Sequence, residues 1–303
     1  MKIKNLFEEK KTPVISFEVF PPNEKFTLDS LYETIEELSK LSPDFISVTY
    51  GAGGSTRSRT LEIATHIQKH YSIPTLAHLT CIGATTQEIN SLYCDLSKNG
   101  IQNILALRGD MPHEMSQETL DNSDFGYASD LVEHIRSQDK ECTIAGAFYP
   151  EGHKENNDLM DLLHLKHKVE AGSDFLISQI FFDNDIYMDY VEKMHKIGIN
   201  LPIMAGIMPI VDAKQIKRIC SLCHCSLPPK VERMLERFSE SPSALKEAGI
   251  SYAADQIIDL ISRGVSGIHL YTMNKVDVTK EILRRIEHIR ASEKNLSGVE
   301  GEV

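Results

Sequence analysis

The stretch VISFEVFPPNEKFTLDSLYETIEELSKLSP, residues 14–43, holds one complete strand and helix unit. It opens on an apolar run of strand length that Pro21 and Pro22 close. Leu28, Leu31, Ile35 and Leu38 then recur at helical spacing until Pro43 ends the pattern. The one misfit is Glu18, a carboxylate in the middle of the apolar run. Its neighbours should desolvate it, and desolvation favours the protonated form of a carboxyl, which suits proton donation near neutral pH. The structural alternative is an ion pair inside the fold with a cation such as Arg108.

The same unit returns along the chain. Further strand runs are FISVTY (45–50), PTLAHLTC (74–81), NILALRG (103–109), TIAGAFYP (143–150), FLISQIFF (175–182), PIMAGIMPI (202–210) and GIHLYTM (267–273). Helical patterns fall between them, near 57–71, 127–138, 156–171, 185–197, 212–222 and 277–291, with a Thr85/Glu88 capping box before another that Asn99-Gly100 stops. Eight pairs predict an α/β fold, a closed (β/α)8 TIM barrel, with an open doubly wound sheet as the alternative. Residues 226–265 read as extra helix inserted before strand eight, with Ile250, Ala254, Ile257 and Ile261 at helical spacing. A single catalytic barrel domain with its core at about 12–292 is expected, followed by a flexible polar tail at 293–303 and no C-terminal regulatory domain.

The chain carries 44 acidic against 32 basic side chains, a formal charge of -12. That disfavours nucleic acid and acidic membrane surfaces, so an anionic ligand must be met by local cations and backbone amides. No membrane span or signal sequence is legible, and a cytoplasmic protein is expected. The six scattered cysteines read as reduced thiols, and CSLCHC (220–225) lacks the second ligand pair of a zinc site, so no metal is expected.

In such barrels the chemistry sits where the strands end. Glu18, Thr49, His78, Arg108 with Asp110, Tyr149 with His153, Gln179, and Tyr271 with Asn274 and Lys275 all fall there. Polar residues also gather at any boundary between strand and loop, so each alone is weak. TYGAGGSTRSRT (49–60) sets a glycine-rich turn before a helix, where amides could meet an anion or a flat ring, although its spacing fits no dinucleotide fingerprint. His164, His167 and Lys168 form a cationic patch suited to a phosphate, or else a solvated helix face. The polar stretch 110–126 has the length of a functional loop.

Taken in order, SFEVFPP, SVTYGAGGSTRSRT, AHLTCIG, LALRGD, FYPEGH, SQIFFD, AGIMPI and LYTMN resemble the methylenetetrahydrofolate reductase family from about residue 12 to about residue 290, in its short bacterial form. The resemblance implies a barrel that binds FAD, takes a hydride from NADH or NADPH, and passes it to 5,10-methylenetetrahydrofolate in ping-pong fashion, in a homo-oligomer. It implies that Glu18 is the general acid to folate N10. It also implies that Asp110 lies between flavin and pterin and that Gln179 bonds pterin and nicotinamide in turn.

For the cofactor the resemblance implies Thr49, Tyr50, Ala52, His78, Arg108, Gly109, Asp110, Tyr127, Ala128, Tyr149, His153, Asp161, His164, His167 and Lys168, and for folate Asp110, Gln179, Gln215 and Lys275. His164 and His167 replace an asparagine and an arginine, so phosphate contact by His167 weakens once its imidazole is neutral. Lys275 replaces an arginine and loses its bidentate geometry, and Ile219 replaces an aromatic. The competing functional readings are a cofactor-free barrel lyase or pterin-condensing enzyme using Glu18 as base, and a non-catalytic flavin- or folate-binding protein.

Overall fold

A computed structural model of the chain describes residues 1–22, 27–50, 54–109, 123–153 and 158–296. Eight parallel strands form a closed barrel in sequence order: β1 (Val14–Val19), β2 (Phe45–Val48), β3 (Thr75–Thr80), β4 (Asn103–Leu107), β5 (Thr143–Phe148), β6 (Phe175–Ser178), β7 (Ile203–Ile207) and β8 (Gly267–Tyr271). Closure is made by β1, which pairs with β2 on one side and β8 on the other, so Glu18 lies opposite both Ser47 and Tyr271. This sets aside the open sheet. The apolar runs outlast the ladders: beyond the ends of β6 and β7, Phe181 stays in the core under the helices, while Phe182, Met208 and Ile210 join a satellite cluster.

Side chains alternate along each strand between the helices and the barrel axis. Phe17, Val19, Ile46, Val48, Ala77, Leu79, Ile104, Ala106, Ile268 and Leu270 join the large core under the helices. The alternate positions Val14, Phe45, Leu76, Leu105, Ala145, Phe175 and Met204 form a separate apolar layer at the amino-terminal end of the barrel. Ile3 and Leu6, at the start of the chain and in a helical turn before β1, plug that end, and the Ile3 amide donates to Asn103 Oδ1 at 2.8 Å. Above this layer the axis turns polar: Ser16, Glu18, Ser47, His78 and His269 are all buried.

The helices are α1 (Leu28–Ser39), α2 (Gly54–Tyr71), α3 (Thr86–Lys98), α4 (Ala128–Gln138), α5 (Asp158–Glu170), α6 (Asn184–Lys196), α7 (Ala213–Cys223), α8 (Pro229–Phe238), α9 (Pro242–Ser262), α10 (Val276–Arg285) and α11 (Glu287–Leu296). The capping box of α3 forms as its sequence predicts, with Thr85 and Glu88 each bonding the other's backbone amide.

The extra helices expected before strand eight are present, since α7, α8 and α9 all lie between β7 and β8. What differs is which of them joins the ring: periodicity gives the seventh position to 212–222, yet α9 is the helix that packs on β7, α6 and α10. The reason is apolar area: α9 buries Leu245, Ile250, Ala253, Ala254, Ile257, Leu260 and Ile261, whereas α7 fully buries only Ile216. Gly249 seats α9, since a Cβ there would lie 1.6 Å from the Ile210 carbonyl oxygen. With α8, α7 instead covers Ile180, Phe182, Met208, Ile210 and Tyr271 at the carboxyl ends of β6 to β8. The helix expected over 277–291 also divides, into α10 and α11. No helix among the described residues is long and apolar enough to cross a membrane.

Candidate active site

Glu18 is 4% exposed and sits on the axis side of β1, where its two carboxylate oxygens meet different surroundings. Oε2 accepts from Ser47 Oγ at 3.4 Å and lies 3.4 Å from Nε2 of both His269 and His78. Oε1 has no hydrogen bond among the described residues. The carboxylate is thus held by one oxygen and presents the other. Its neighbours are histidines, and the guanidinium of Arg108 lies instead 5.9 Å over the ring of Tyr127.

The two histidines differ. His269 is fully buried, and its Nδ1 lies 2.6 Å from Ser16 Oγ. If the Ser16 hydroxyl donates to Nδ1, Nε2–H is left to donate to Glu18, which makes a chain from Ser16 through His269 to the carboxylate. His78 Nε2 is near Glu18 but outside hydrogen-bonding geometry, and among the described residues it is a buried polar atom without a partner. Burial pushes His78 down to about 4, against the pull of Glu18 and with the help of His269. His78 is therefore neutral near pH 7 and can offer a nitrogen to a ligand.

The turn after β8 fixes the backbone around Glu18. Met273 and Asn274 are both left-handed, with φ of 50° and 56°. That conformation lets Asn274 accept from the Phe20 amide and donate to the Phe20 carbonyl, each at 3.0 Å, while Thr272 Oγ1 donates to the Glu18 carbonyl at 2.6 Å. Tyr271 reaches across the mouth to donate to the Ser178 carbonyl at 2.8 Å, over Gly206, where a Cβ would stand 2.9 Å from the phenol oxygen. Burial, aided by Glu18, holds that phenol well above its ordinary value, so it stays protonated.

Several of the sequence-predicted cofactor residues fall around the ends of β4 and β5. Arg108, Tyr127 and His164 form one group, with the Tyr127 and His164 rings 5.3 Å apart. Tyr149, His153 and Asp161 form another: the two rings meet edge to face at 4.9 Å, and the buried Asp161 carboxylate accepts the His153 amide. Ala128 is buried at the start of α4, and His167 is exposed on α5. Lys168 turns inward, donating Nζ to the Ala147 carbonyl at 2.6 Å, and burial lowers it to about 8.

Gly109 adopts φ +89°, and a Cβ there would press on Thr80 and Ile82 at 3.0 Å, so the glycine of the LRGD motif has a backbone reason. Thr49 and Tyr50 follow β2 at half-buried positions. Gln179, just past the end of β6, accepts the Ile180 amide on its side-chain oxygen at 2.9 Å. Gln215 lies in the first turn of α7, and Lys275 caps α10 on the far side. Ala52, Asp110 and most of the polar loop lie outside the described residues.

These surroundings suit a large, flat, anionic ligand. Tyr127, which contacts Arg108 and His164, is 54% exposed, and α5, the helix that carries His164, also exposes Leu159, Met160 and Leu163, in a chain that is acidic as a whole. The buried, partnerless nitrogen of His78 adds a polar contact deeper in. Among the described residues no group of histidine, cysteine or carboxylate side chains could hold a metal ion. The residues that the motifs alone miss are Ser16, Ser47 and His269. All three share strand parity with a named rim residue, two positions away.

Comparison with known proteins gives one answer. The family model for methylenetetrahydrofolate reductase matches residues 2–287. The chain is 37% identical over 286 residues to methylenetetrahydrofolate reductase (NADH) 1 of Arabidopsis thaliana, covering 90% of this chain and 48% of that one. It is 35% identical over 269 residues to 5,10-methylenetetrahydrofolate reductase of Escherichia coli, covering 88% of each. The chain thus spans about half the length of the plant relatives and most of the bacterial one. Among solved structures, a Clostridium thermocellum protein that binds two copies of 5-methyl-5,6,7,8-tetrahydrofolic acid shares the fold, with TM-score 0.65 at 15% identity over 95% of this chain and 99% of that one.

Proposed function

The chain belongs to the methylenetetrahydrofolate reductase family, and from that premise we propose that it reduces 5,10-methylenetetrahydrofolate to 5-methyltetrahydrofolate, with NADH or NADPH as donor and FAD as carrier. The observation that carries the reading is Glu18, a buried carboxyl at the barrel mouth with Oε2 held from below and Oε1 presented. A carboxyl in that position is built to give a proton to a ligand nitrogen.

When bound, FAD supplies reversible hydride transfer, first from the nicotinamide and then to the one-carbon unit. The chain's own residues do the rest. Protonation of folate N10 by Glu18 opens the five-membered ring to the electrophilic iminium form. His269, bonded to Ser16, receives the resulting carboxylate on its Nε2–H and keeps it aimed. Neutral His78 adds no positive charge beside Glu18 and leaves a ring nitrogen there for the ligand.

Arg108, Tyr127, His164, Tyr149, His153 and Asp161 would hold FAD along the β4–β5 side, with His167 near its phosphates. Gln179 and Asp110 would hold the pterin, while Gln215 and Lys275 would hold the more distant part of the folate.

The test separates two half-reactions. With oxygen excluded, FAD-reconstituted protein mixed with NADH should lose its flavin absorbance, and methylenetetrahydrofolate should then restore it. Flavin that bleaches but is not reoxidised by folate would sink the reductase reading. Protein that retains no flavin would remove the cofactor assignment as well.

A further inference from the structure

The carboxyl end of α7 carries chemistry that the folate reaction does not use. Cys220, Cys223 and Cys225 lie within one turn there, with His224 between the last two in the left-handed conformation, φ 57°. The His224 amide donates to the Cys220 carbonyl, and so does the Cys225 amide, at 3.2 Å. The second of these is the six-to-one bond of a Schellman turn, in which the third residue from the helix end faces the second residue beyond it. Such turns set an apolar pair at those two positions; here both are cysteines. The two side chains pack into the same satellite core, with Cys225 buried and Cys220 half-buried at its edge.

We propose that Cys220 and Cys225 form a peroxide-oxidisable dithiol, closing to an intramolecular disulfide across the end of α7. The Cys220 thiolate attacks one oxygen of hydrogen peroxide. The O–O bond breaks, hydroxide leaves and is protonated to water, and the sulfur becomes a sulfenic acid while the peroxide is reduced by two electrons. The Cys225 thiol then gives up its proton as its sulfur attacks the Cys220 sulfur. The S–O bond breaks, and a second water leaves with the disulfide behind it. The sum is two thiols and one peroxide to one disulfide and two waters.

The roles differ for a physical reason. The neighbouring Cys225 thiol moves Cys220 below the ordinary thiol range, while Cys220 and burial move Cys225 above it. The more exposed sulfur is therefore also the better thiolate. The position matters to the site, because the next residue, Ser226, donates its amide to both oxygens of Glu151, at 3.0 and 2.9 Å, in the loop between Tyr149 and His153. A bridge would fix a turn that is fastened to the cofactor side of the mouth.

The experiment uses the full-length protein, reduced, freed of reductant and treated with hydrogen peroxide before alkylation and peptide mass analysis. The expected result is loss of the mass of two hydrogens, with one alkylatable thiol left among the three, at Cys223. Cys225→Ser should accumulate a sulfenic acid at Cys220 that dimedone traps, and Cys223→Ser should leave the bridge intact. A bridge that uses Cys223, loss of the bridge in Cys223→Ser, or three thiols still alkylatable after peroxide would each overturn the proposal.

Discussion

Glu18 stands out in the sequence because an ionisable group interrupts an apolar run, and the structure gives that misfit a setting of two histidines and a serine. Replacing Glu18 with Gln keeps the shape and removes the proton. Flavin reduction by NADH should then stay within a few-fold of the parent, while stopped-flow reoxidation by folate should slow by roughly 10²-fold or more. Equal losses in both half-reactions would make Glu18 a structural residue.

His78 supports a second test. Its folded value, about 4, lies below the 6.5 of an unfolded histidine, so between those values the unfolded chain binds the extra proton. Stability from this group is complete above about pH 6.5 and is lost as pH falls toward 4, by an amount on the order of 3 kcal/mol. Urea midpoints at pH 7 and pH 5 should therefore differ less for His78→Asn than for the parent. An equal pH dependence in both would remove His78 as its source. Ser16 and His269 were not legible as site residues, because an inward serine or histidine within a strand looks the same as one satisfied in a core. Only the pairing of β1 with β8 places them under Glu18.

At the scale of elements, the turn after β8 works as a clamp. Asn274→Ala removes both side-chain bonds to Phe20 and puts an unsuited residue in a left-handed position, at a cost of about 1–3 kcal/mol. Its urea midpoint should fall, and the folate half-reaction should fall more than flavin reduction. A midpoint equal to the parent's would mean that the clamp carries no load. The elements were legible to different degrees. Eight strands and the α3 capping box follow from local signals, since β-branched runs and a Thr/Glu pair act over a few residues. The ring position of α9 did not follow, because α7 and α9 both have helical periodicity, and what decides between them is how much apolar surface each can bury against β7, a tertiary quantity.

Across the whole molecule, the two ends of the barrel do different work: an apolar plug at one and a polar mouth at the other. Ile3→Asp would bury a charge in the plug, where Ile3 is fully enclosed, and should lower stability by about 3 kcal/mol or more, seen as a drop in the thermal midpoint. The KM for folate should change little, because the substitution is at the opposite end from the mouth. An unchanged midpoint would show that the plug does not stabilise the barrel.

The seam between the first and last strands carries a further consequence. Glu18 and His269 are 251 positions apart, and Ser16 and His269 are 253 apart, so these contacts form only when the ring shuts. Pairings of such long range come late in folding, after the loop entropy between them has been overcome. Glu18 is present from the first strand onward but lacks His269, Thr272 and Asn274 until β8 has been made and has paired with β1. The proton donation proposed for Glu18 would thereby be confined to molecules whose barrel has already closed.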